Sequence, residues 1–321
     1  MSIPVSAYLH GIFPRSDALI AATRDLERGR TDRAAVEERF ARDTDDLVAL
    51  QRDAGMDLYS DGLLSWQDIF RPLADASDGL EPNGLVRWFD TNSFYRVPVV
   101  TGEPALSHPD RVAVDTIVPV PRVATLPSPL LFSRVAHLAP GRDVDRDVLL
   151  RRLAGEVLRP AADVLVAGGC SLVHLEEPWV VTHDVAPASW ETLGDALEAF
   201  GAGLGARVVL HTSFGDAGPV IDRLRALPVD AIGVDLVETD VESLGGDWST
   251  GLVAGCVNGR SSLVEAVDVT LKVARAAVDR ARPPFVYVSS GTSFDLLPRA
   301  VAIEKGRVLG EVARRLGEEL R

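Results

Sequence analysis

Arg207-Val208-Val209-Leu210-His211-Thr212-Ser213-Phe214-Gly215-Asp216 reads as a buried strand that ends in polar side chains. Val208, Val209 and Leu210 follow one another without polar alternation, so both faces of the segment are covered. His211 and Ser213 then stand where the apolar run stops and the Gly215-Asp216 turn begins. Similar runs recur at 5–10, 56–61, 123–128, 172–177, 231–236, 252–257 and 285–290, which makes eight in all. Between most of them lie segments with 3.6-residue periodicity, at 144–158, 190–204, 217–227, 263–278 and 300–316. Eight covered strands alternating with helices predict a closed parallel (β/α)8 barrel, one unit over residues 1–321.

One stretch breaks the rhythm. Residues 75–121 carry Pro82, Pro98, Pro104, Pro109, Pro119 and Pro121 together with Trp88, Phe89, Phe94 and Tyr95. That is too much chain for a βα loop, and the aromatics favour an ordered segment. It reads as a hairpin and arm inserted between strands two and three, lying over the barrel.

Composition narrows the function classes. The chain has 321 residues, 46% hydrophobic, with a net charge of −14 spread along its length. Dispersed acidic charge argues against nucleic acid and anionic membranes and for an ordinary soluble protein, and a small-molecule substrate is the expected partner. No run of 18 apolar residues predicts a membrane span, and the Met-Ser-Ile-Pro opening resembles no secretory leader. A cytoplasmic protein is the expectation, and a homo-oligomer is compatible with it. The two cysteines, Cys170 and Cys256, stand far apart in apolar settings and read as small buried hydrophobes. Gly255-Cys256-Val257-Asn258-Gly259-Arg260 lacks the lysine and the glycine spacing of a phosphate loop. Lys272 and Lys305 fall on amphipathic helical patterns and read as surface groups.

A barrel of this kind does its chemistry at the C-terminal ends of its strands. Those ends carry His10, Asp61, Ser128, Glu176 with Glu177, His211 with Ser213, Asp235, Asn258, and Ser289 with Ser290. Adjacent carboxylates on a strand point to opposite sides, so at most one of Glu176 and Glu177 faces the mouth. A buried carboxylate without partners costs several kcal/mol and is commonly there for a ligand. Asp61 and Asp216 read equally well as turn formers and helix caps. His183 and Asp184 fit solvent and site alike.

Taken in order, several motifs resemble the cobalamin-independent methionine synthase family, in its short single-barrel form and its catalytic C-terminal domain. They are Gly11-Ile12-Phe13-Pro14-Arg15, Asp61-Gly62-Leu63-Leu64-Ser65-Trp66-Gln67-Asp68-Ile69-Phe70, and Gly84-Leu85-Val86-Arg87-Trp88-Phe89 leading into Pro98-Val99-Val100. Leu175-Glu176-Glu177-Pro178, Val257-Asn258-Gly259-Arg260 and Leu297-Pro298-Arg299 complete the series. The resemblance implies a zinc ion on a histidine, two cysteines and a glutamate, with methyl transfer from a methylated folate to a zinc-bound thiolate. Carried onto this chain, the histidine is His211, the cysteines are Ser213 and Thr292, and the glutamate is Asp235. The aromatic that stacks on folate falls near Val135.

Hydroxyls are poor substitutes for thiolates on zinc. Thiolate zinc is therefore not expected, no cofactor is assigned firmly, and a methylated folate remains the candidate donor. The leading expectation is a methyltransferase acting on a small polar acceptor, with His211, Asp235 and Glu177 as catalytic groups. His10, Asp61, Ser128, Glu176, Ser213, Asn258, Ser289 and Thr292 are then the substrate-binding set. Any metal would rest on His211 and Asp235. The alternatives are a lyase, hydrolase or isomerase using the same histidine and carboxylates with a harder metal, or a non-catalytic ligand-binding homologue.

Overall fold

The computed structural model of the chain describes residues 2–66, 68–113 and 117–321. Gln67 of the second-strand motif and positions 114–116 of the insert lie outside the described residues. The apolar runs form seven parallel strands: β1 (Val5–Ala7), β2 (Arg122–Pro127), β3 (Cys170–Glu176), β4 (Arg207–His211), β5 (Ala231–Asp235), β6 (Gly251–Val257) and β7 (Val286–Ser290). They lie in the order β1-β7-β6-β5-β4-β3-β2, in one curved sheet.

The eighth run is not the regular strand expected at 56–61. It bridges the two edges of the sheet. The Asp57 and Leu58 amides reach the Ala7 carbonyl at 2.9 and 3.4 Å, while Tyr59 pairs with Pro121 and Val123 at 3.0 Å each. Side chains take the partners that a longer ladder would use. Asp57 Oδ2 accepts from the Ala7 amide at 2.8 Å, and the Gln51 amide group bonds both the N–H and the carbonyl of Ser60 at 2.8 and 2.9 Å. What remains of the strand is one bridge, Tyr59 to Arg122.

The interior nonetheless has eight staves. Tyr8, Leu58, Val123, Leu172, Val209, Ala231, Val253 and Tyr287 pack together, one from each stave. Side chains on a strand face the same way every second residue. Two positions further on stand Thr125 on β2, His174 on β3, His211 on β4, Gly233 on β5, Gly255 on β6 and Ser289 on β7. An apolar plug thus carries a layer of polar and small residues directly above it.

Helices cover the outside of the sheet, and three differ from the periodicity. The helix expected to end at 158 runs from Arg146–Arg152 through a widened turn, Leu153–Leu158, into Arg159–Ala167. The widened turn precedes Pro160, which has no N–H to give and crowds the preceding turn. The segment at 217–227 shortens to Ile221–Arg225, pinned between Pro219 and Pro228. In Arg299–Glu319, Lys305 is not a surface group: it is fully buried, with Nζ 2.7 Å from both carboxylate oxygens of Glu265. Lys272 is exposed. Among the described residues, no helix is long and apolar enough to cross a membrane.

In the insert, Ser77–Pro82 pairs antiparallel with Pro98–Leu106, and a short ribbon, Val86–Arg87 with Phe94–Tyr95, extends beyond it. Trp88 stacks on Tyr95 with ring centres 4.5 Å apart. Two carboxylates, the buried Asp68 and the half-buried Asp295, pin the arm down. Asp68 Oδ2 accepts from the Arg96 amide at 3.0 Å, and Asp295 Oδ2 accepts from Ser93 Oγ at 3.1 Å and the Tyr95 hydroxyl at 3.0 Å.

Candidate active site

Three imidazoles meet at the polar end of the barrel. His10 follows β1, His174 lies within β3, and His211 ends β4; their ring centres are 4.0 to 4.9 Å apart. All three are buried. His10 Nδ1 lies 2.8 Å from Glu176 Oε1, and its Nε2 lies 3.1 Å from the Ser290 carbonyl. His174 Nδ1 lies 2.9 Å from the Tyr8 hydroxyl. His174 Nε2 and both nitrogens of His211 make no hydrogen bond. Burial first, and the neighbouring His10 second, hold His174 and His211 well below the usual histidine range. Both are neutral bases at pH 7.

Asp235 shares this interior. Gly233 and Asp235 are two apart on β5 and face one side, and a Cβ on Gly233 would lie 2.4 Å from Nδ1 of His211. The glycine leaves the space that the imidazole fills. Gly291 does the same for Asp235, where a Cβ would come within 2.2 Å of Oδ1. Asp235 Oδ1 accepts from the Val237 amide at 3.1 Å, whereas Oδ2 is buried with no partner. Burial pushes the Asp235 carboxyl up to about 6. Ser213 Oγ is also buried without a partner.

The remaining strand-end residues divide by their contacts. Glu176 is the carboxylate that faces the imidazoles, also 3.9 Å from His174 Nε2. Glu177 is buried on the other side of the strand. Its oxygens accept from Ser128 Oγ and from the amides of Leu131 (3.2 Å), Trp179 (2.9 Å) and Val180 (3.3 Å). Burial still raises its carboxyl to about 7 against those donors. Ser128 caps the helix Pro129–Val135 through the Leu131 amide at 3.1 Å. Asp61 accepts from the Leu63 amide at 2.9 Å, as a turn former does. Asn258 Oδ1 accepts from the Arg260 amide at 2.8 Å, Ser289 Oγ donates to the Tyr8 carbonyl at 2.9 Å, and Thr292 Oγ1 donates to the Ser293 carbonyl at 3.3 Å. His183 and Asp184 are exposed, His183 being stacked on Trp179. Both cysteines are buried and free.

Above the imidazoles, the arm meets the barrel. Phe89 stacks on Phe214 with ring centres 5.4 Å apart, and both have left-handed backbones (φ 46° and 68°). Non-glycine residues rarely hold that conformation unless their surroundings impose it. A cavity of about 790 Å³ is lined by Arg15, Trp66, Tyr95, Asp295 and Arg299 among others. The histidines do not line it. The Asp295 carboxyl is raised chiefly by burial, with the charge of Glu176 adding to it.

Strand-end reading missed His174, Tyr8 and Asp295. His174 is embedded in the apolar run Leu172-Val173-His174-Leu175, which hides it from a search of run termini. Parity was the available signal, since Leu172, His174 and Glu176 share one face.

Residues 53–281 match the family described as cobalamin-independent synthase, N-terminal domain, rather than the catalytic C-terminal domain that the motifs resemble. The 5-methyltetrahydropteroyltriglutamate–homocysteine methyltransferase of Mycobacterium tuberculosis is 32% identical over 214 residues, covering 63% of this chain. The match spans only about a quarter (27%) of that relative's length. The methionine synthase of Sulfolobus acidocaldarius is 25% identical over 309 residues, covering 92% of this chain and 87% of its own. A B12-independent methionine synthase structure from Shewanella sp. superposes with a TM-score of 0.75 at 16% identity, covering 100% of this chain and 99% of that one, a likeness of fold. The family match runs through arm and barrel alike, and the chain belongs to the cobalamin-independent synthase family.

Proposed function

We propose that the chain is a methyltransferase that moves a methyl group, with a methylated folate as the donor, onto a small polar acceptor held at the C-terminal end of the barrel. One barrel over residues 1–321, with 75–121 as its arm, is the unit we assign this to. The observation that carries the reading is the set of buried, partnerless polar atoms there: His174 Nε2, both nitrogens of His211, Ser213 Oγ and Asp235 Oδ2. Each such atom costs roughly 1–3 kcal/mol when left unpaired, so a polar ligand answers a deficit the fold has accepted. The names of the relatives, a 5-methyltetrahydropteroyltriglutamate–homocysteine methyltransferase and a methionine synthase, support the reaction class.

The positions that family resemblance assigns to zinc hold one imidazole, one carboxylate and two hydroxyls: His211, Asp235, Ser213 and Thr292. Thr292 spends its hydroxyl on the Ser293 carbonyl. Without sulfur this set does not fit a thiolate zinc centre, and no step is routed through one.

Methyl transfer to an O–H or N–H acceptor forms the bond from acceptor to methyl carbon and breaks the bond from donor nitrogen to methyl carbon, whose electron pair stays on that nitrogen; the acceptor must lose one proton, and the departing folate nitrogen takes one up to become N–H. His211, neutral and without a hydrogen bond, takes the acceptor's proton. Asp235 is mostly ionised at pH 7 and offers Oδ2 to orient the acceptor and the imidazolium that forms. General-base assistance of this kind contributes roughly 10²–10⁴-fold. We assign Glu177 a structural task, since its oxygens already serve Ser128 and three backbone amides.

The test is direct. Purified protein is incubated with methyltetrahydrofolate and a panel of amine, hydroxyl and thiol acceptors, with folate binding measured in parallel by calorimetry. Methyl transfer that drops at least about 100-fold in His211→Gln supports the proposal. Absence of both folate binding and turnover overturns it.

A further inference from the structure

We infer that His10, His174 and His211 form a binding site for a divalent transition-metal ion, held by imidazole nitrogens from three different strands. Of the positions that family resemblance assigns to zinc, only His211 takes part. One ring nitrogen from each residue lies within 4.8 Å of the others, and all three side chains are buried.

Two features of the geometry favour an ion there. The first is orientation. A histidine that ligates a metal has its other ring nitrogen fixed by a partner. His174 Nδ1 is held by the Tyr8 hydroxyl at 2.9 Å, which turns Nε2 into the cluster without a partner. His10 Nδ1 is held by Glu176 at 2.8 Å. The second is room. Gly233 supplies no Cβ where His211 sits, and both nitrogens of that ring lack hydrogen bonds.

Geometry and chemistry narrow the ion. Nitrogens on one tetrahedral ion, with bonds of about 2.0–2.1 Å, stand roughly 3.3 Å apart, so nitrogens now within 4.8 Å of one another close by up to about 1.5 Å on loading. His10 Nε2 would then exchange the Ser290 carbonyl, now at 3.1 Å, for the metal. Imidazole donors suit zinc, copper, nickel and iron(II), and disfavour magnesium and calcium. Three imidazoles leave a tetrahedral ion one open position. Glu176, 3.9 Å from His174 Nε2, supplies negative charge beside it. With an ion bound, the lone pair of His211 lies on the metal and cannot take the acceptor's proton, so the metal-loaded barrel and the methyl-transfer reading assign His211 alternative tasks.

The experiment uses the whole chain, stripped with chelator and titrated with Co²⁺, then with Zn²⁺ in competition. We expect one ion per chain, with visible d–d bands and no sulfur-to-metal charge transfer. His174→Ala and His211→Ala each weaken binding by about 100-fold or more, and Glu176→Gln by roughly 10-fold, as loss of an outer partner does. His183→Ala, at an exposed histidine outside the cluster, binds as the wild type does. Circular dichroism checks folding, and the bulkier His174→Gln and His211→Gln replace any alanine variant that fails to fold. No saturable binding of Co²⁺, Zn²⁺ or Ni²⁺ by the wild type overturns the inference. So does undiminished binding by folded cluster variants, and so does binding that His183→Ala abolishes.

Discussion

Oε1 of Glu176 lies 2.8 Å from Nδ1 of His10 and ties the end of the third barrel strand to the segment after the first. The other nitrogen of His10 faces the Ser290 carbonyl at 3.1 Å and the Ser290 hydroxyl at 3.3 Å.

Removing that carboxylate exposes what the pair contributes. Glu176→Ala leaves His10 facing an empty, buried space and lowers stability by about 3 kcal/mol. Glu176→Gln keeps an acceptor at the same place and loses about 1 kcal/mol. Urea unfolding of both variants checks the ranking. Equal losses would show that the charge of Glu176 matters little and its shape matters most.

The pH dependence of stability isolates Asp235. Its carboxyl is raised from 3.8 to about 6 in the folded chain, chiefly by burial. A carboxyl raised on folding stabilises the fold below its unfolded value and loses that contribution as pH rises through its folded value. Stability from Asp235 is thus present below about pH 3.8 and gone above about pH 6. Asp235→Asn removes this slope and at pH 8 exceeds the wild type by on the order of 2 kcal/mol. The histidines act with opposite sign. His174 and His211 are lowered from 6.5, so their contribution is present above that value and lost as the solution becomes more acidic. Denaturant midpoints of wild type and Asp235→Asn at pH 5 and pH 8 decide the matter, and parallel profiles would refute it.

Phe214 lies just past Ser213 with φ 68° and stacks on Phe89 of the arm. Glycine takes a left-handed conformation freely, whereas alanine bears a cost of roughly 1–2 kcal/mol there. Both substitutions lose the stack, so Phe214→Gly should be more stable than Phe214→Ala by about 1 kcal/mol. Thermal unfolding measures the difference. The reverse order would mean that the left-handed backbone is not retained in the variants.

Lys305 sits fully buried against both oxygens of Glu265, whose Oε1 also accepts from the Asn258 amide at 2.9 Å. Lys305→Ala leaves that carboxylate without its cation and lowers stability by about 3–5 kcal/mol. Lys305→Met combined with Glu265→Gln fills the volume without a stranded charge and should recover much of the loss. A double variant as unstable as the single one would show that packing, rather than charge, sets the cost.

The barrel was legible in the chain because a strand covered on both faces must be apolar at nearly every position, and eight such runs alternating with helices are what a closed parallel barrel requires. The strand ends were legible for the same reason: a polar group after such a run meets the barrel mouth. His211, Asp235 and Ser213 were found in this way. Tertiary structure decided the rest. Glu176 and Glu177 are neighbours with the same chemistry, and only the direction of β3 sends one to His10 and the other to Ser128 and three backbone amides. The run at 56–61 has a strand's composition but meets Asp57 and Gln51 side chains where its ladder would form. His174 looks like an interruption of an apolar run until curvature of the sheet sets it against His10 and His211. Apolar pattern follows from local covering, which each segment carries in its own residues. Polar partnership is a relation between segments more than a hundred residues apart in sequence, as in Tyr8 with His174, and exists only once the barrel has closed.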